Sequence, residues 1–128
     1  MWIYCDHGFL SIVQSRENPA LYIARARSRA DLDGLLTYLK DRQSKTITLA
    51  QQNSSDYQWS VVADAVAISS YVHSRALDID YPNFKNMIGH RQGEHRLRVY
   101  HNIWRNSLAL ETIDTDWQSE PPILPLSE

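Results

Sequence analysis

The chain has 128 residues, 43% hydrophobic and 22% charged, with a net charge of −2 and a pI near 6.2. That length fits one domain able to bury about two-thirds of its unfolded surface without a metal or disulfide staple. No apolar run approaches the roughly 20 residues of a membrane span, and the N-terminal residues lack the basic start of a signal peptide.

Met1 to Cys5 is apolar and aromatic, which predicts a short strand. Its single cysteine, Cys5, has no partner for an internal disulfide, so a reducing cytoplasm is the expected setting and a buried thiol the expected role. Asp6-His7-Gly8 signals a turn, and Phe9 to Gln14 the return strand. Asn18-Pro19 marks another turn, followed by a strand from Leu21 to Arg27. Alternation puts Tyr22, Ala24 and Ala26 on one face of it and Ile23, Arg25 and Arg27 on the other.

Ser28 to Asp31 has capping-box spacing, so a helix is expected from there to about Lys40–Arg42, burying Leu32, Leu35, Leu36 and Leu39. Thr46 to Leu49 alternates as a strand, and Gln51 to Asp56 is a polar loop. Tyr57 to Val62 alternates again, which predicts Tyr57, Trp59 and Val61 on one face, beneath the helices. Asp64 can cap a second helix to about Leu77, with Ala65, Ile68, Val72 and Ala76 as its stripe.

Residues 78–93 are the densest run of chemically capable side chains. Asp80 is expected to cap a short third helix, with Pro82 in its first turn, Phe84, Met87 and Ile88 on its apolar face and Gly89 at its end. Glu94 to Leu110 reads as the longest helix, with a stripe of Leu97, Tyr100, Trp104 and Leu108. Residues 85–105 hold five Lys or Arg against Glu94 alone; residues 106–128 hold five acidic residues and no Lys or Arg. Residues 111–128 therefore read as an acidic, Pro-rich tail outside a single domain spanning 1–110.

The order β-β-β-α-β-β-α-α-α predicts an α+β fold: an antiparallel sheet with helices on one face, two ββα-like units in a ferredoxin-like type of two-layer sandwich, and C-terminal helices.

A set of short motifs runs through the chain. They are Gly8-Phe9-Leu10-Ser11-Ile12-Val13, Ala24-Arg25-Ala26-Arg27, Asp31-Leu32, Asp56-Tyr57 and Asp80-Tyr81-Pro82-Asn83-Phe84-Lys85, with Arg96, Tyr100, His101 and Trp104 in the closing helix. In these the chain resembles, over residues 1–110, a group of small uncharacterised bacterial proteins. The resemblance implies a shared fold and surface and brings no activity with it.

Several chemistries lack their residues. One cysteine and histidines without H-x-x-x-H spacing give no zinc signature. The Asp78-x-Asp80 pair has the spacing to hold Mg²⁺ with water and phosphate, but a cap and a solvated helix end account for it more simply. Four glycines form neither a dinucleotide fingerprint nor a P-loop, and G-x-S-x-G is absent. No metal or cofactor is expected.

What remains is a small non-catalytic binding or regulatory module for a macromolecular partner, protein ahead of nucleic acid, with homodimerisation open to it. Its candidate binding residues are Asp80, Tyr81, Asn83, Lys85, His90 and Arg91, with Arg25 and Arg27 as a second patch. The alternative is a metal-independent, ribonuclease-like enzyme using Tyr81, Lys85, His90, Arg91 and His7 for proton transfer and charge stabilisation.

Overall fold

The computed structural model describes residues 1–44, 47–53 and 56–112. Thr46, Ser54, Ser55 and the part of the expected tail from residue 113 onward lie outside the described residues. The chain falls into two compact units, one spanning Met1–Phe84 and the other beginning at Lys85.

The first unit is an open antiparallel sheet of five strands: β1 (Trp2–Cys5), β2 (Gly8–Gln14), β3 (Leu21–Ala26), β4 (Ile47–Gln51) and β5 (Trp59–Asp64), in the order β1-β2-β3-β5-β4. A 3-10 turn (Arg29–Leu32) runs into α1 (Asp33–Asp41), and α2 (Ala65–Leu77) follows β5. The α+β two-layer sandwich expected from the element order is the observed architecture.

Alternation builds the core. Leu10 and Ile12 of β2, Ala24 and Ala26 of β3, and Val61 and Ala63 of β5 point to one face, where Leu32, Leu35, Leu36, Leu39, Ile68 and Tyr71 cover them. Each buried leucine contributes roughly 1.5–3 kcal/mol of transfer free energy. The small Ala24 and Ala26 let the helical layer come close to the middle of the sheet.

Several local expectations are corrected. The Ser28 hydroxyl makes no capping bond. Asp31 is buried and accepts the Phe9 N–H at 3.0 Å, so its carboxylate ties the 3-10 turn to β2. Gly8 makes that approach feasible: its φ is +127°, and a Cβ there would collide with the Asp31 carboxylate. In α2 the buried residues are Ile68 and Tyr71, and Ala76 is exposed, so the inward stripe is rotated from the expected one.

The second unit comprises most of α3 (Phe84–Gln92), together with α4 (Glu94–Ser107). Because α3 starts at Phe84, Pro82 precedes the helix and Asp80 is four residues before its first turn. Gly89 does not end α3. It lies inside, where a Cβ would be 3.1 Å from Leu97 Cδ2, so the two helices approach closely there. Gly93, at φ +91°, makes the break. On α4 only Tyr100 of the expected stripe is buried; Trp104 is 47% exposed and Leu108 44%.

Candidate functional site

Within the first unit the helical layer packs on one face of the sheet, and the other face is built by the alternate residues of the same strands. Register sets its rows. Trp2 pairs with Ser11, Ser11 with Arg25, and Arg25 with Ser60. Val13, Ile23, Val62 and Thr48 form a parallel row toward one end. Tyr4 pairs with Phe9 toward the other.

At that end the aromatic side chains gather. Tyr4 and Phe9 stack with centroids 4.4 Å apart and planes within 10°, and Trp2 meets Phe9 edge-on at 6.2 Å. Tyr57 lies 6.4 Å from Phe9. The Arg25 and Arg27 guanidinium carbons lie 4.8 and 5.2 Å from the Tyr57 ring centroid. Arg25 donates to Ser11 Oγ at 2.7 Å, and Arg27 pairs with Asp56 at 3.1 Å. Burial, then the neighbouring Tyr57, raises the Tyr4 pKa, so its phenol stays neutral. Trp2, on edge strand β1, is 66% exposed.

The expectation that Tyr57 shares a face with Trp59 and Val61 is thereby overturned. Regular pairing begins only at Trp59, and Tyr57, before the strand, turns to the Arg25 face. Trp59 does lie on the helical side, packed against the core. Arg25 and Arg27 thus come together around one ring.

His7 sits elsewhere, in the β1–β2 turn. Its Nδ1 is 2.7 Å from Tyr71 Oη and its Nε2 is 2.9 Å from Arg75 Nη1. A guanidinium N–H can only donate, so Nε2 accepts and the neutral ring carries its proton on Nδ1, donating to Tyr71. Arg75 Nη1 also bonds Asp6 at 3.0 and 3.2 Å, and Nη2 bonds Asp78 at 2.7 Å. Asp6 and Arg75 side chains are each only 12% exposed. Burial lowers the His7 pKa and the Arg75 charge lowers it further, against the opposing pull of Asp6. Burial likewise holds the Tyr71 hydroxyl in its neutral form and pushes the Cys5 thiol up. This clasp joins the first turn to the end of α2. The sequence reading missed Tyr71 and Arg75; their i, i+4 spacing on α2 with Asp78 three residues on was the available signal.

The remaining candidates fall in two places. Asp80, Tyr81 and Asn83 occupy the segment between α2 and α3, where the Tyr81 ring lies 6.1 Å from Phe84. Lys85, His90 and Arg91 are on α3, the last two in its final turn. Lys85 and His90 are five positions apart on the helix, about 140° around the axis, so the two point apart. Lys85 Nζ instead lies 3.8 Å from the Trp104 ring centroid.

Among the described residues, no three His, Cys, Asp or Glu side chains gather in a way that could hold a metal ion. Among them, too, no helix is long and apolar enough to cross a membrane. Comparison with protein-family models, curated proteins and solved structures finds no match.

Proposed function

We propose that this chain is a non-catalytic binding module whose aromatic sheet face, formed by Trp2, Tyr4 and Phe9 with Arg25 and Arg27 packed around the buried Tyr57 ring, docks a protein partner in the cytoplasm. The observation carrying this reading is the composition and packing of that face. Trp, Tyr and Arg are the residues that dominate binding energy at protein interfaces. A rigid cluster of them loses little side-chain entropy on docking.

Two features favour protein over single-stranded nucleic acid. Base stacking needs free ring faces. Here Tyr4 and Phe9 stack on one another, and both arginines lie by the Tyr57 ring. Both arginines also already have polar partners, Ser11 and Asp56. The ribonuclease-like alternative loses support from the clasp, because both His7 nitrogens are engaged within the protein.

The test is comparative capture from nuclease-treated lysate with three baits: wild type, Trp2→Ala, and Val66→Glu on the exposed side of α2. A protein held by wild type and Val66→Glu but lost with Trp2→Ala is expected. Loss of all binding on nuclease treatment, or capture indifferent to Trp2→Ala, would sink the proposal.

A further inference from the structure

The second unit holds a cleft that the sheet-face reading does not use. Lys85, Asn86, Glu94, Leu97, Arg98 and His101 line a space of about 380 Å³ between α3 and α4. Glu94, Leu97, Arg98 and His101 recur at three- and four-residue spacing, so a single face of α4 forms one wall. Gly89 brings the helices close at Leu97, which floors the cleft. The Lys85 ammonium is held over Trp104 at 3.8 Å, and the His101 ring lies 5.4 Å from the same indole. A cation–π contact fixes an ammonium without cancelling its charge. Among the described residues neither Lys85 nor Arg98 has a carboxylate partner.

We propose that this cleft binds an acidic peptide segment carrying apolar side chains. Its carboxylates sit between Lys85 and Arg98, and an apolar side chain rests on Leu97 and the half-exposed Trp104. Arg98 presents the planar fork that pairs with a carboxylate through two parallel bonds. Glu94 decides between polyanions. A carboxylate in the lining repels any continuous row of anions, so the bound carboxylates must be spaced apart, as in a peptide, whose intervening N–H groups can donate to Glu94. The apolar floor points the same way, since phosphate contacts gain nothing from Leu97.

The experiment is fluorescence anisotropy on the full chain with a labelled peptide of alternating Glu and Leu. The matching Gln–Leu peptide, inorganic phosphate and oligothymidylate serve as competitors. Arg98→Glu and Lys85→Met should each weaken the Glu–Leu peptide by about tenfold or more, with circular dichroism unchanged. Affinity should fall as salt rises. The Trp2→Ala chain should bind the peptide normally, which separates this site from the sheet face. Wild-type chain that does not bind, equal binding by Arg98→Glu, equal preference for the Gln–Leu peptide, or full displacement by phosphate or oligothymidylate would each overturn the proposal.

Discussion

Arg75 makes more polar contacts than any single-sequence signal suggests. Its guanidinium bonds Asp6, His7 and Asp78 at 2.7–3.2 Å while almost out of water. Removing it leaves Asp6 buried without this cation. Arg75→Ala should therefore cost about 3 kcal/mol in denaturant unfolding. Arg75→Lys should recover little, because one ammonium cannot span the three partners. His7 makes the same cluster sensitive to pH. Its folded pKa lies below the ordinary value of 6.5, so the unfolded chain binds the extra proton first. The His7 contribution to stability is then fully present above about pH 6.5 and is lost as pH falls below it. Urea midpoints measured from pH 7.5 down to 5 should fall, and a His7→Gln chain should show a flatter profile over that window. An identical slope in both chains would remove His7 from the account.

At the scale of elements, what could be read in advance was what periodicity reports directly. The Leu32, Leu35, Leu36 and Leu39 stripe is buried, and Ala24 and Ala26 face the core while Arg25 does not. The misreadings have physical causes. Tyr71 enters the core through its ring while its hydroxyl meets His7, so a polar–apolar pattern counts it ambiguously. Tyr57 obeys strand alternation only if it lies within the strand, and it does not. Gly89 and Gly93 look alike in sequence. Only φ and the neighbouring Leu97 separate a packing glycine from a terminating one. Gly34 of α1 is a further case, since a Cβ there would collide with the His7 imidazole. Gly34→Ala should destabilise the chain by about 1–3 kcal/mol, although alanine is the better helix former. Calorimetric unfolding of the single variant would show it; a raised Tm would mean that His7 can move aside.

At the scale of the whole molecule, function was the least legible level. The candidate residues of the 78–93 run divide between two units, and within α3 they point apart. The aromatic face is assembled from β1, β2, β3 and the residue Tyr57, so its members are distant in sequence and become neighbours only through strand register. Arg25 and Arg27 are legible as a patch and Tyr57 as a sheet aromatic; that Trp2, Tyr4 and Phe9 join them is not. That face is the proposed docking site for a protein partner. The direct test is calorimetric titration of the captured partner with wild type, Trp2→Ala and Val66→Glu chains. Trp2→Ala should weaken binding by about tenfold or more, with Val66→Glu equal to wild type. Equal affinity for Trp2→Ala and wild type, or loss confined to Val66→Glu, would contradict it.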